Sequence, residues 1–110
     1  MDNFELIICI VNTGFSEIAM DAARKQGARG GTIINGRGTA TKEAEKIFNI
    51  TIQPEKEIII ILVNTNIKDK ILKGLYDEVG VNTAAQGIAF TLPVEDVVGI
   101  SSSQNKKDNK

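Results

Sequence analysis

The residues best suited to chemistry lie in a glycine-dense segment from Gly27 to Thr39. Five of the ten glycines in the chain fall between Gly27 and Gly38, and Arg29 and Arg37 lie among them. Glycine lets the backbone approach another group closely, and arginine binds anions. The segment therefore predicts an anion held near the backbone. The alternative interpretation is a turn that holds no ligand.

The composition of reactive side chains excludes several classes of catalytic and metal-binding site. The chain has 110 residues, a single cysteine (Cys9) and no histidine, which removes disulfides, Cys/His zinc sites and triads that use imidazole. Cys9 lies in an apolar run, so we interpret it as a small buried hydrophobic residue. The carboxylates Glu43, Glu45 and Glu55 remain as acid–base candidates, but their spacing fixes no paired geometry. We predict no catalytic residue and no metal site, and an enzyme is the less favoured hypothesis.

Composition indicates one soluble globular domain. The chain is 42% hydrophobic and its formal net charge is -1, which gives no reason to expect nucleic acid as a partner. The apolar runs Leu6–Val11 and Ile58–Val63 are much shorter than the roughly 20 residues of a membrane-spanning helix. The first residues are acidic, unlike a basic signal region. We expect a cytoplasmic protein.

A tandem repeat supplies the elements that must position these residues. The segment Ile7–Thr13 matches Ile59–Thr65. Each is followed by an amphipathic pattern that ends at a glycine, Gly27 in the first copy and Gly80 in the second, and then by another strand pattern. The chain is therefore predicted to contain two strand-helix-strand units.

Apolar, β-branched runs define four predicted strands: Glu5–Asn12, Gly31–Asn35, Glu57–Asn64 and Gly87–Leu92. The two helices are predicted to have Ser16 and Asn66 as capping residues. Part of the polar segment between the second and third strands is predicted to be helical, around Lys42–Phe48. A short extra strand is predicted within Pro93–Ile100, and residues 101–110 are predicted to be a disordered polar tail.

Two such units predict an α+β, ferredoxin-like βαββαβ fold in residues 1–100, with a four-stranded antiparallel sheet and both helices on one face. A long loop, residues 37–56, joins strands two and three. Leu6–Val11 and Ile58–Val63 are apolar at every position, whereas a strand with one face in water should alternate. Because the helices cover only one face, we predict a homo-oligomer that covers the other.

Several short motifs occur in order on this framework: Gly27-x-x-Gly30-x-Thr32, Arg37-Gly38, Lys56 before strand three, and Gly87-Ile-Ala-Phe-Thr-Leu-Pro-Val-Glu-Asp-Val97. With them the chain resembles the PII signalling family over about residues 4 to 100. Members are trimers that bind adenine nucleotides between subunits and present a long T-loop to target proteins. The resemblance implies a homotrimer, a small-molecule effector and a protein target, such as a membrane transporter or a metabolic enzyme, in nitrogen regulation. A CutA-like trimeric binding protein of the same fold is the alternative.

The resemblance also implies an effector site. The family's ligand-contacting positions correspond here to Gly30, Gly31, Thr32, Arg37, Gly38, Thr39, Lys56, Val63, Ala85, Gln86, Gly87 and Ile88. No cofactor is required, and the effector is expected to be an adenine nucleotide: AMP, ADP, a cyclic nucleotide or ATP. In the family's 2-oxoglutarate site a loop glutamine accompanies the lysine before strand three; Lys56 matches that lysine, whereas Thr39 replaces the glutamine.

Three phosphate-binding cations of the family are missing. Ile88 replaces a lysine, and Gly99 and Ser101 replace two arginines. Because a charge-assisted contact to phosphate contributes roughly 1.5 to 3 kcal/mol, tight ATP binding is not expected. AMP, ADP or a cyclic nucleotide fits better, and the substitute cations would be Arg29, Arg37, Lys42 or Lys56.

The loop itself offers no acceptor for the family's tyrosine or serine modifications, because Tyr76 lies in the second predicted helix and every serine lies outside the loop. A switch in this loop should therefore be driven by a ligand. The loop does carry an apolar edge, made by Ile47, Phe48, Ile50 and Ile52. This edge could dock a partner protein or pack against the protein's own trimer.

Overall fold

The computed structural model describes residues 3–39, 42–48 and 53–100. Its elements, in chain order, are β1 (Phe4–Asn12), α1 (Ser16–Lys25), β2 (Thr32–Arg37), α2 (Lys42–Phe48), β3 (Glu55–Asn64), α3 (Thr65–Val79) and β4 (Ile88–Val94). The predicted α+β, ferredoxin-like fold is confirmed, and the segment predicted to be helical within the loop forms α2. In this part of the chain no helix is long and apolar enough to cross a membrane. The predicted tail, residues 101–110, lies outside the described residues, as do Ile50 and Ile52.

The four strands form one sheet in the order β2-β3-β1-β4, and all three pairings are antiparallel. Helices α1 and α3 pack together on one face. The core between helices and sheet is apolar and contains Ile7, Cys9, Val11, Ala19, Ala22, Ala23, Ile59, Ile61, Val63, Ile71, Leu75 and Val79. Three alanines of α1, Ala19, Ala22 and Ala23, lie on the face of the helix that is buried in this core, as their spacing predicts.

The opposite face of the sheet, here called the open face, is also apolar. It carries Leu6, Ile8, Ile10, Ile34, Ile58, Ile60, Leu62, Ile88, Phe90 and Leu92, which alternate with the core residues along each strand. No element among the described residues covers it, so Phe90 and Leu92 keep 43% and 47% of their surface exposed. An apolar surface this continuous is typical of a protein interface.

Two boundaries differ from the sequence prediction at the loop between strands two and three. Arg37 belongs to β2, and Glu55 and Lys56 belong to β3, because the ladder continues through the pairs Arg37↔Glu55 and Gly36↔Lys56. The segment that joins the two strands, here called the 38–54 connection, is therefore shorter than the predicted loop. Lys56 is held in the sheet rather than in the loop.

The predicted extra C-terminal strand is wrong. Pro93 and Val94 extend β4, and residues 95–100 contain no strand. The reason is that Val94 already pairs with Phe4, the first residue of β1, so residues 95–100 have no further residue of β1 to pair with. Pro93 is tolerated because β4 is an edge strand.

The predicted capping residues of both helices are also wrong. The cap of α3 is Asn64, whose side chain accepts a hydrogen bond from the backbone N–H of Asn66 at 3.1 Å. At α1, Ser16 is already the first helical residue, and no side chain of the preceding residue caps the helix. Glu57 of β3 takes this role, since its carboxylate accepts the backbone N–H groups of Gly14 at 2.9 Å and Ser16 at 3.1 Å.

These contacts set the pKa of Glu57. Desolvation by burial would raise the pKa of this carboxyl, but hydrogen bonds from Gly14, Phe15 and Ser16 stabilise the ionised form and bring it below the ordinary value. A lowered folded-state pKa means that the ionised carboxylate stabilises the fold above the unfolded-state pKa and that this stability is lost as the pH falls through the folded-state pKa.

Replacing Glu57 by Ala is expected to lower the free energy of unfolding at pH 7 by about 1 kcal/mol, the usual cost of losing a helix-capping acceptor. The difference from wild type should shrink as the pH falls below the ordinary glutamate pKa of about 4.3. Urea denaturation at pH 7 and pH 3 measures both. Glu78→Ala, at an exposed position of α3, is the matched control. An equal loss for Glu57→Ala at both pH values would contradict this role.

Candidate functional site

A polar cluster lies at the end of the sheet where β1 ends and β3 begins. It consists of Asn12, Lys56 and Gln86 and is called here the Lys56 cluster. The ammonium of Lys56 donates to Oδ1 of Asn12 at 2.7 Å, and Nδ2 of Asn12 donates to Oε1 of Gln86 at 3.3 Å. The same Nδ2 donates to the carbonyl oxygen of Ala84 at 3.0 Å. Asn12 is 8% exposed, so its polar atoms depend on these partners.

Strand register brings Asn12 and Lys56 together. They face each other as the last pair of the β1–β3 ladder, and adjacent strands place the side chains of such a pair on the same face. The lysine stem also lies against Gly38, where an added Cβ would come within 3.0 Å of Cε of Lys56. The backbone N–H of Gly38 donates to the carbonyl of Pro54 at 2.7 Å, so both ends of the 38–54 connection meet beside the cluster.

The turn before β4 forms the other wall of the cluster. Gln86 is the only residue other than glycine with positive φ (48°) in the described part of the chain. The N–H of Gln86 donates to Thr83 O at 3.0 Å, and that of Gly87 to Val79 O at 2.8 Å. Asn12 adds a backbone bond, from its N–H to Ala85 O at 2.9 Å. The turn that carries the predicted site residues Ala85, Gln86 and Gly87 and leads into Ile88 of β4 is thus tied to both α3 and β1.

The predicted site residues divide into two groups. Gly38, Lys56 and residues 85–88 lie at the Lys56 cluster or beside it, with Arg37 and Thr39 exposed next to them. Residues 30–32 and Val63 lie at the opposite end of the sheet, because β2 starts at Thr32 opposite Ile60. Lys56 and Val63 are seven residues apart on one strand, which is about 23 Å at the usual rise per residue. A single chain does not bring the two groups together.

A depression marks this opposite end and is called here the Arg29 depression. It has a volume of about 310 Å³. Its wall combines polar and apolar residues: Phe4, Gly27, Ala28, Arg29, Leu62, Val63, Asn64, Asn66, Ile67 and Ile100. The guanidinium of Arg29 supplies a positive charge, and the two asparagines supply donors and acceptors. Of the glycines near it, Gly31 has a packing role, since a Cβ there would come within 2.9 Å of Ile60 O.

A second cavity, of about 330 Å³, lies between α3 and β4. It is lined by Cys9, Leu72, Leu75, Tyr76, Val79, Gly80, Val81, Gly87, Ile88 and Ala89, none of which carries a charge at neutral pH, so this cavity is unsuited to an anion. Burial raises the pKa of the Cys9 thiol to about 11. The thiol therefore stays protonated near neutral pH, and the interpretation of Cys9 as a buried hydrophobic residue is confirmed.

The sequence analysis missed Asn12 as a site residue. The repeat offered a signal, because Asn12 and Asn64 occupy the same position in its two copies, each at the end of a buried strand. Their roles differ, however: Asn64 caps α3 whereas Asn12 joins the Lys56 cluster. Within the described residues there is no group of three or more Asp, Glu, Cys or His side chains that could hold a metal ion.

Comparison with known proteins finds a family model that matches the chain and several solved structures with a similar fold. The family model "Nitrogen regulatory protein P-II" matches residues 4–104. A sequence search of curated proteins found no match. Among solved structures, Arabidopsis thaliana PII bound to citrate superposes with a TM-score of 0.66 at 22% identity, and the match covers 88% of this chain and 80% of the Arabidopsis chain.

Two bacterial proteins have structures that superpose on this chain with comparable TM-scores. CPII of Thiomonas intermedia, a nitrogen regulatory PII-like protein bound to ADP, AMP and bicarbonate, gives a TM-score of 0.64 at 20% identity, with coverage of 91% of this chain and 98% of CPII. The B. subtilis GlnK–ATP complex gives 0.64 at 15% identity, with 89% of each chain covered. At such identities these likenesses establish the fold.

The turn before β4 should be sensitive to any side chain at Gly87. A Cβ there would clash with the carbonyl oxygen of Val79 and come within 3.0 Å of Val11. Gly87→Ala is therefore expected to lower the free energy of unfolding by about 1 to 3 kcal/mol. Gly30→Ala is the control, because nothing lies within 4 Å of a Cβ at that position. Chemical denaturation of both variants gives the comparison, and equal stabilities would contradict the tight packing of this turn.

Proposed function

Because this chain belongs to the nitrogen regulatory protein P-II family, we propose that it is a cytoplasmic regulator that binds an adenine nucleotide between the subunits of a homotrimer. It is a signalling protein rather than an enzyme. The bound nucleotide biases the state of the 38–54 connection, which changes its affinity for a partner protein such as a membrane transporter or a metabolic enzyme.

The observation that carries this proposal is the position of the two groups of site residues. They lie at opposite ends of the sheet, and the open face between them has no cover from α1 or α3. In a closed ring of identical subunits, each interface joins one surface of a subunit to a different surface of the next. Such a ring would cover the open face and bring the Lys56 cluster of one subunit to the Arg29 depression of its neighbour.

The charges in these two places favour a small anion. The Lys56 cluster offers one ammonium, the Arg29 depression one guanidinium, and Arg37 lies exposed nearby in β2. Ile88, where the family has a lysine, is an apolar residue with 55% of its surface exposed. Two or three cations suit one or two phosphate groups better than three. CPII, the relative of this fold bound to ADP and AMP, is the more relevant comparison for the ligand.

The trimer is tested by mass in solution. Wild-type protein should have three times the mass of one chain in light scattering, independent of dilution over the micromolar range. Ile8→Lys places a charge in the middle of the open face and should yield monomers, because an unpaired charge in an interface is strongly unfavourable. Ile18→Lys, at a position of α1 that is 44% exposed, should leave the mass unchanged. A wild-type monomer would contradict the proposal.

The effector is tested by calorimetric titration of the wild-type protein with AMP, ADP, cyclic AMP and ATP-Mg. AMP, ADP or the cyclic nucleotide should bind more tightly than ATP-Mg. Arg29→Gln should weaken binding about tenfold or more, since a charge-assisted bond to phosphate is lost. Arg24→Gln is the matched control, because Arg24 is exposed on α1 and paired with Asp21. A clear preference for ATP-Mg would argue against this choice of ligand, and no binding of any nucleotide would argue against the function.

A further inference from the structure

The side chain of Asn12 connects two parts of the protein that are distant in sequence. On one side its Oδ1 accepts from Lys56, which directly follows the 38–54 connection. On the other side its Nδ2 donates to Ala84 O and to Gln86 Oε1 in the turn before β4. The residue is 8% exposed, so water offers little replacement for either set of partners.

Only a carboxamide matches both sides. Its oxygen can accept a hydrogen bond from the ammonium on one side, and its nitrogen can donate to the two oxygen atoms on the other side. An aspartate would keep the bond from Lys56 but could not donate to the carbonyl of Ala84. Leucine has a similar size but would leave both sides without a partner. The bonds also fix the orientation of the amide, because a flip would turn Nδ2 toward the ammonium and Oδ1 toward a carbonyl.

We propose that Asn12 is a positioning residue that couples the base of the 38–54 connection to the turn at residues 84–87 through Lys56. A displacement of the Lys56 ammonium changes the hydrogen bonding of Asn12 and therefore the stability of the turn, and a displacement of the turn acts on Lys56 in the same way. This coupling is a property of the ligand-free protein. Its use in signalling rests on the function proposed above, in which a ligand contacts the turn and a partner contacts the connection.

The coupling can be measured as hydrogen exchange of single backbone amides by NMR in the ligand-free protein. The reporters are the N–H groups of Gln86 and Gly87, which donate to Thr83 O and Val79 O. Lys56→Met removes the ammonium and keeps most of the stem, and Asn12→Leu removes both sides of the link. Each single variant should accelerate exchange at these reporters about tenfold, which corresponds to about 1.4 kcal/mol. The double variant should show about the same acceleration as Asn12→Leu alone.

Matched substitutions provide the controls. Asn35→Leu changes an exposed position of β2, and Lys73→Met removes an exposed ammonium of α3 that pairs with Asp77. Neither should change exchange at Gln86 or Gly87. If Asn12→Leu does not fold, Asn12→Asp takes its place in the cycle and should also accelerate exchange in the turn, since it keeps the acceptor for Lys56 but loses the donor to Ala84.

Two results would overturn the coupling: unchanged exchange at Gln86 and Gly87 in Lys56→Met, or effects of the two single variants that simply add in the double variant. Both results are obtained without a nucleotide, so they are independent of the titrations that test the proposed function. A coupled turn in a protein that binds no nucleotide would support the role of Asn12 and reject the ligand. Nucleotide binding with an uncoupled turn would support the ligand and reject the role of Asn12.

Discussion

The register between β1 and β3 is the constraint on which the rest of the structure depends. These two central strands pair from Phe4↔Asn64 to Asn12↔Lys56. This register directs Ile7, Ile59 and their neighbours toward the helices. A shift by one residue would exchange the core and open faces of a strand. Both faces are apolar here, so hydrophobic burial alone would tolerate such a shift, and the polar residues at the strand ends must help to specify the register.

Polar contacts at the ends of the β1–β3 ladder supply this specificity. At one end the pair Asn12↔Lys56 is joined by a side-chain hydrogen bond of 2.7 Å. Glu57, one residue further along β3, binds the backbone at the start of α1, and Asn64 at the other end caps α3. A slipped strand would leave a buried amide and a helix end unsatisfied, each at a cost of about 1 kcal/mol or more. The contacts that position the candidate site are therefore also contacts that select the fold.

An apolar open face and a divided site have the same physical origin. A sheet with helices on one side leaves its other side without a cover, and no element among the described residues provides one. The same geometry separates Arg29 from Lys56 by the length of a strand. Association of subunits would cover the open face and would also bring the two groups of predicted site residues together.

The sequence by itself determined the four strands and three helices of the described residues, their order and the family, because these follow from local patterns: apolar runs, helical spacing, a repeat and short motifs. It also indicated that both faces of the sheet are apolar. Tertiary structure alone decided that Arg37 and Lys56 lie in strands, that residues 95–100 form no strand, and that Glu57 rather than Ser16 caps α1. It also decided that Asn12 joins Lys56 to the turn at Gln86. Each of these features depends on which residues pair or contact each other across the sheet. Contacts between residues that are distant in sequence produce no periodic pattern in the sequence.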